Sequence, residues 1–162
     1  MTKTIREAQP GDEAIILGFI KELASYEKLS HEVIATKEHL RRTLFAAQPK
    51  AFALIAEVDG EPVGFALYFF NYSTFIGRHG LYLEDLYVRE SMRGGGHGKA
   101  LLSRLAQIAL DNDCGRMDWS VLDWNAPSIA FYKSLGAMAM DEWTVFRLTG
   151  EALSNLAARD GK

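Results

Sequence analysis

The chain has 162 residues, 48% of them hydrophobic and 24% charged, and a formal net charge of −3. We therefore expect a single globular domain over residues 1–162, without the basic surface typical of nucleic-acid binding or the apolar run of about 20 residues that a membrane span needs. The single cysteine, Cys114, and a start with no apolar signal region exclude an internal disulfide and favour a cytoplasmic location.

The first half of the chain predicts strands and two helices. Asp12 is a candidate N-cap for the first helix and Thr36 for the second, which Pro49 ends. Asp59-Gly60 predicts a hairpin turn. The predicted elements are a strand at 3–8, helices at about 12–26 and 37–47, strands at 51–58 and 62–70, and a loop at 71–80.

The second half alternates strands and helices. Pro127 suits a first helical turn and Gly136 a helix end. The predicted elements are strands at 81–88, 116–122 and 143–148, with helices at 99–112, about 126–135 and 150–159. This order predicts an α/β protein with a mixed central sheet and helices on both faces.

A glycine-rich loop lies between the strand at 81–88 and the helix that follows it. The residues are Gly94, Gly95, Gly96, His97 and Gly98. The first turn of a helix has unpaired backbone N–H groups and a positive dipole end, and glycine lets the backbone approach a phosphate closely. Strand, glycine loop and helix in this order predict an anion site.

The spacing decides between phosphate-binding motifs. The Walker pattern fails because Arg93 stands where its first glycine is required, and the dinucleotide pattern G-x-G-x-x-G fails because its third glycine is absent. Arg93-x-x-Gly96-x-Gly98 instead resembles the R/Q-x-x-G-x-G/A loop of the GNAT acetyltransferases. That resemblance, which covers nearly the whole chain, implies the GNAT fold and acetyl-CoA as co-substrate.

Four runs, the glycine loop among them, resemble the diamine acetyltransferases within GNAT, which act on spermidine, spermine or thialysine. They are KELASYE (21–27), LYLEDLYV (81–88), the glycine loop and WNAPSIAFYKSLGA (124–137). The resemblance implies transfer of an acetyl group from acetyl-CoA to a small primary amine, by direct attack in a ternary complex. It also implies a homodimer.

The resemblance assigns two catalytic residues. Tyr132 matches the general acid aimed at the coenzyme A thiolate, and Glu84 matches the carboxylate that accepts the amine proton through water. Acetyl transfer needs both, because an ammonium must lose a proton and the thiolate must gain one. The matching coenzyme-binding residues are Leu86, Tyr87, Val88, Arg93, Gly94, Gly95, Gly96, His97, Gly98, Lys99, Asn125 and Ser128.

The predicted substrate residues are mostly acidic or aromatic, as an extended polycation requires. The family match assigns Tyr26, Glu27 and Glu84 to the substrate side, with Asp85 as a substrate-side or structural acid. Asp118, Trp119 and Ser120 are expected to line the substrate side although they differ from the family's pattern, and a second acid is expected from Asp141 or Glu142, of which Glu142 is our choice. Because Glu84 and Asp85 are neighbours on a strand, they should face opposite sides, and we favour Glu84 for the site. His97 is expected to face solvent from the loop, and Asn125 could act as a helix cap instead of, or together with, its coenzyme role.

Two departures bear on the acceptor. Lys28 stands where mammalian-type polyamine enzymes have a tyrosine and would repel a second ammonium, and Trp119 could narrow the channel. A lysine-like amine or a diamine is therefore as plausible as spermidine.

Other interpretations stay open. A protein, peptide or antibiotic amine could be the acceptor, or the chain could be a non-catalytic acyl-CoA-binding module. His31, His39 and His79 show no metal spacing, so no metal is expected.

Overall fold

The computed structural model describes residues 1–159, which fall into two compact units, 1–122 and 123–159. The first unit contains a five-stranded sheet in the order β1-β2-β3-β4-β5. Its elements are β1 Lys3–Glu7, α1 Glu13–Tyr26, α2 Lys37–Leu44, β2 Phe52–Val58, β3 Glu61–Ser73, β4 Arg78–Val88, α3 His97–Asp111 and β5 Met117–Trp119.

Four strands pair antiparallel, and β4 pairs parallel with β5. The predicted α/β class and mixed sheet are confirmed. The turn between β2 and β3 has Asp59 at φ 51° and Gly60 at φ 83°, the left-handed conformation that a two-residue hairpin requires.

The helix starts differ in how they are capped. Thr36 begins α2 with a capping box, since its hydroxyl accepts from the His39 N–H at 3.1 Å and its own N–H donates to His39 Nδ1 at 3.2 Å. Asp12 precedes α1, but its carboxylate makes no cap bond. It pairs with Arg6 at 2.7 Å and accepts from the Gln9 N–H at 2.7 Å. Arg6 accordingly lowers the pKa of Asp12.

The predicted loop at 71–80 is wrong. β3 and β4 continue across most of it, with Asn71 opposite Gly80 and Tyr72 opposite His79, whose rings meet edge to face at 5.2 Å. Cross-strand ring contacts of this kind stabilise a hairpin. His79 Nδ1 also lies 3.0 Å from the Asn71 carbonyl oxygen.

The core of the first unit lies between the sheet and helices α1 and α2. Ile16 and Phe19 on α1 pack against Ile55 and Phe65 of the sheet, with the Phe19 and Phe65 rings stacked at 5.5 Å. α3 buries Leu101, Leu102 and Leu105. The strand alternation therefore gives the sheet two apolar faces.

The second unit contains α4 Ala126–Ser134 and α5 Gly150–Ala158. The predicted strand at 143–148 is wrong, because these residues form no strand in the structure. Val145 is 86% exposed and Phe146 91%. A strand needs a neighbour to satisfy its backbone groups, and the alternating apolar pattern cannot supply one by itself.

Gly64 sits where β3 and β4 approach closely, as expected for a glycine inside a strand. A Cβ at this position would lie 2.6 Å from the Tyr87 carbonyl oxygen. Gly64→Ala must push the two strands apart, so we expect a loss of about 1–3 kcal/mol in the free energy of unfolding, measured by urea denaturation.

Gly18→Ala is the matched control. Gly18 lies inside α1, and a Cβ added there would have no neighbouring atom within 4 Å. Alanine there should be neutral or raise stability by up to about 1 kcal/mol. Equal losses in the two variants would contradict the close-approach explanation.

Candidate active site

The pairing of β4 with β5 stops after three residues. Leu81, Tyr82 and Leu83 pair with Met117, Asp118 and Trp119, and β5 then ends. β4 continues to Val88, still paired with β3 on its other edge. Along 84–88 the β5-side edge of β4 thus has no strand neighbour among residues 1–159. An extended ligand can pair with backbone groups along such an edge.

A β-bulge marks the point where the pairing stops. Leu67 on β3 pairs with Asp85, and the next residue, Tyr68, pairs with Leu83, so Glu84 has no partner on β3. A bulge bends the strand and changes the direction of its side chains. Glu84 is exposed, whereas Asp85 is half-buried and shares a sheet face with Leu67, which packs against the core below α1 and α2.

Asp85 belongs to a group of three carboxylates. Burial, with Glu84 and Glu27 adding repulsion, raises the pKa of Asp85 to about 7. Burial also raises the pKa of Glu27, the residue that follows the last turn of α1. Carboxylates that lie close together on a partly buried surface favour protonation of one of them or binding of a cation. A pKa near neutrality suits a group that exchanges a proton with an ammonium.

The glycine loop follows at the end of β4. Gly94 and Gly96 have φ of 83° and 82°, a region that other residues rarely adopt, and Gly96 is the N-cap of α3. The Ala100 N–H donates back to the Gly96 carbonyl at 2.9 Å. The N–H groups of His97, Gly98 and Lys99 in the first turn have no partner within the helix, and this end of the helix attracts an anion.

His97 is buried, so the expectation of a solvent-facing histidine is wrong. It is the first residue of α3 and only 6% exposed. A Cβ on Gly95 would lie 3.1 Å from His97 Nε2, so the ring lies against the loop. The helix also begins two residues earlier than the predicted Lys99.

Arg93 is held by aromatic rings and a carbonyl. Its guanidinium lies 4.7 Å from the centre of the Tyr26 ring and 5.8 Å from that of Tyr87, and its Nε donates to the Val88 carbonyl at 3.1 Å. Arg93 thereby links two other predicted coenzyme residues, Tyr87 and Val88, to a predicted substrate residue, Tyr26.

Lys3 was not predicted to contribute. Its Nζ donates to the Gly95 carbonyl at 2.7 Å, which ties β1 to the glycine loop. The two residues are 92 positions apart in the chain, and no local motif indicates such a contact.

The predicted residues of β5 are engaged locally. Asp118 forms an ion pair with Arg116 at 3.1 Å, and the Ser120 hydroxyl lies 3.1 Å from the Tyr82 hydroxyl. Trp119 is half-buried at the last pair with β4. Lys28 lies just beyond α1 at φ 62°, an unusual backbone conformation for lysine.

Four predicted residues belong to the second unit: Asn125, Ser128, Tyr132 and Glu142. Asn125 is buried and caps α4, because its Oδ1 accepts from the Ser128 N–H at 3.4 Å. Tyr132 is half-buried on α4, its ring 5.7 Å from that of Phe131, and Glu142 is exposed. The catalytic and binding roles of these residues stay predictions.

The β4 edge and the glycine loop both lie within a stretch of the chain that matches one known family. The Acetyltransferase (GNAT) family matches residues 20–137, well over half of the chain. The chain belongs to the GNAT family. The predicted family, fold and enzyme class, that of an N-acetyltransferase, are therefore confirmed.

Several relatives of this acetyltransferase align with almost its full length. It is 44% identical to thialysine N-epsilon-acetyltransferase from Bos taurus, with 96% of this chain and 97% of that protein aligned. It is 31% identical to L-ornithine N5-acetyltransferase from Arabidopsis thaliana, with 94% and 87% aligned. An integron cassette protein from the mobile metagenome of V. cholerae has a similar structure, with a TM-score of 0.80, 28% identity and 97% and 98% coverage.

Two further observations concern other predicted absences. No helix in the described part of the acetyltransferase is long and apolar enough to cross a membrane. Within residues 1–159, no group of three or more His, Cys, Asp or Glu side chains is arranged to hold a metal ion.

The raised pKa of Asp85 predicts an unusual pH dependence of stability. Between about pH 4 and pH 7 the folded protein keeps a proton that the unfolded chain releases, so this group makes the free energy of unfolding fall as pH rises through that window. Asp85→Asn removes the effect. Between pH 5 and pH 8 the free energy of unfolding of the variant should rise by about 1–3 kcal/mol relative to that of the unsubstituted protein.

The measurement is urea denaturation at both pH values. Asp123→Asn, which changes an exposed aspartate of the second unit, serves as control and should follow the unsubstituted protein. Stability that changes in parallel for the Asp85→Asn variant and the unsubstituted protein would contradict the assignment of a raised pKa to Asp85.

Proposed function

We propose that the acetyltransferase moves the acetyl group of acetyl-CoA to a primary amine of a small cationic acceptor, either a polyamine or a lysine- or thialysine-like amine. The observation that carries the proposal is the group of three carboxylates, Asp85, Glu84 and Glu27, beside the point where β4 leaves β5. An ammonium placed there would meet negative charge on a half-buried surface, where electrostatic attraction is stronger than in water.

The same strand and the glycine loop after it have features that suit the coenzyme. The pantetheine arm is proposed to lie along Leu86, Tyr87 and Val88, where the β5-side edge is open. The pyrophosphate is proposed to lie at the glycine loop, with N–H groups of the first turn of α3 as donors. Arg93 is already stacked on Tyr26, so it would link the coenzyme side to the substrate side.

The carboxylates would take the proton that the acceptor amine must lose. Glu84 is the proposed acceptor through water, and Asp85, with its pKa of about 7, can hold a proton close by. Tyr132 is the proposed donor to the leaving thiolate. Lys28 and Trp119 are proposed to limit the acceptor length, with Asp118, Ser120 and Glu142 as further substrate residues.

Direct attack by the amine fits the state of the one cysteine. Cys114 is buried, and burial raises the pKa of its thiol, which disfavours the thiolate needed for an acyl-enzyme. The relatives that act on thialysine and on L-ornithine, by their names, support a small amine acceptor. The homodimer and the cytoplasmic location stay predictions.

Thiol release from acetyl-CoA tests the function across spermidine, spermine, putrescine, thialysine, lysine and a lysine-containing peptide. We expect at least one small amine to exceed the peptide at least tenfold in kcat/KM, because the half-buried carboxylates suit a compact cation. Tyr132→Phe, assayed in parallel, should lower turnover more than tenfold and leave acetyl-CoA binding unchanged.

Two outcomes would count against this proposal. A peptide that reacts fastest would move the acceptor to a protein amine. No thiol release with any amine, together with measurable acetyl-CoA binding, would make the chain a binding module.

Gly96→Ala tests the coenzyme loop. Alanine at φ 82° costs about 1–2 kcal/mol, and relief of that strain would move the first turn of α3. We expect acetyl-CoA to bind at least tenfold more weakly by calorimetry.

Gly60→Ala is the matched control, because Gly60 has nearly the same φ, 83°, in the β2–β3 turn. Neither position has an atom within 4 Å of an added Cβ. The control should lose similar stability and keep its affinity for acetyl-CoA. Equal loss of affinity in both variants would show that the effect comes from stability and not from the loop.

A further inference from the structure

A cleft outside the candidate active site lies at one end of the sheet, between α3 and the end of α2. It has a volume of about 620 Å³ and is lined by residues of β1, β2, β3 and α3 and by the end of α2. Tyr68 lines it and follows Leu67 on β3, so the two side chains point to opposite faces of the sheet. Because Asp85 shares the face of Leu67, Tyr68 lies on the opposite face of the sheet from the carboxylate group.

The floor of the cleft is aromatic. Phe52, Tyr68 and Phe70 form a cluster with ring-centre distances of 5.5 Å, 5.8 Å and 6.0 Å. Phe52 and Phe70 are only half-buried, so ring surface remains open to the cleft. Such a surface favours a flat apolar group stacked on it or meeting it edge to face.

The walls carry charges of both signs. Glu7 at the end of β1 and Arg104 on α3 both line the cleft and both act on Tyr68. Burial is the main cause of the raised pKa of Tyr68, Glu7 adds to it, and Arg104 opposes it. Among the ion pairs within residues 1–159, none joins Glu7 to Arg104.

A third polar feature is the Tyr68 hydroxyl. The residue is 6% exposed, and its hydroxyl makes no hydrogen bond to another side chain or backbone group in the described part of the chain. In the described part of the chain, every fully buried polar side-chain atom has a hydrogen-bond partner. The Tyr68 hydroxyl has none, so it is not fully buried. The hydroxyl therefore faces the cleft, where a ligand can bond to it.

We propose that this cleft binds a zwitterionic amino acid with an aromatic side chain, its carboxylate at Arg104, its ammonium at Glu7 and its ring on Phe52 and Phe70. A ligand with only a positive charge would gain nothing from Arg104, and one with only a negative charge would meet Glu7 and Asp111. A molecule with both charges satisfies both walls. Asp111 already accepts from Gln107 Nε2 at 2.8 Å, which leaves Glu7 as the carboxylate for the ammonium.

The probe is L-phenylalanine, titrated into the full chain by calorimetry without acetyl-CoA. Phenethylamine lacks its carboxylate and 3-phenylpropionate lacks its ammonium. We expect each analogue to bind at least tenfold more weakly than phenylalanine. Arg104→Gln and Glu7→Gln should each weaken phenylalanine binding at least tenfold. Both variants should keep their melting temperature and their acetyl transfer, because they lie on the other face of the sheet from Asp85.

Matched controls keep the test specific. Lys37→Gln and Glu61→Gln remove an exposed charge of each sign outside the cleft and should leave binding unchanged. Asp85→Asn should also leave it unchanged. Three outcomes would overturn the proposal: no saturable binding up to about 10 mM, phenethylamine binding as tightly as phenylalanine, or binding lost in Asp85→Asn and retained in Arg104→Gln.

Discussion

The proposed site of this acetyltransferase depends on the short parallel pairing between β4 and β5. Only Leu81, Tyr82 and Leu83 are paired with β5, and the next residue of β4 is the bulge at Glu84. The early end of this pairing leaves the β5-side edge of β4 without a strand neighbour from Glu84 to Val88 in the described part of the chain. The same point of the strand turns Asp85 towards the α1 side. One local irregularity therefore supports both the open edge and the carboxylate group.

The second requirement is close contact between β3 and β4 beside that edge. Gly64 allows the Tyr87 carbonyl to approach within 2.6 Å of where a side chain would begin, and Tyr87 in turn packs below α1 with its ring 6.2 Å from that of Phe19. Arg93 lies over the ring of Tyr87 and also over that of Tyr26, at the end of α1. The first helix, the central strand and the glycine loop are thus joined by ring contacts and by the Arg93 guanidinium, so apolar packing and the charge of Arg93 both contribute.

Local patterns predicted most of the elements but not all contacts. The glycine loop, the Asp59-Gly60 turn and the Thr36 cap were predictable because each depends on backbone geometry within a few residues. The strand extension through Asn71–Gly80, the burial of His97 and the bond from Lys3 to Gly95 depend on partners distant in sequence. The alternation rule placed Glu84 and Asp85 on opposite faces, but it could not predict the bulge at Glu84.

The buried acid has a consequence for any cation that binds next to it. At neutral pH Asp85 is partly protonated in the unliganded protein, because burial disfavours its charged form and Glu84 and Glu27 repel a third negative charge. A bound cation would offset that repulsion and lower the pKa, so Asp85 would release its proton to the solvent. Association would then be accompanied by a fractional, pH-dependent deprotonation, and its observed heat would vary with the ionisation enthalpy of the buffer. Binding of a cation at the carboxylate group would thus be coupled to the release of a proton.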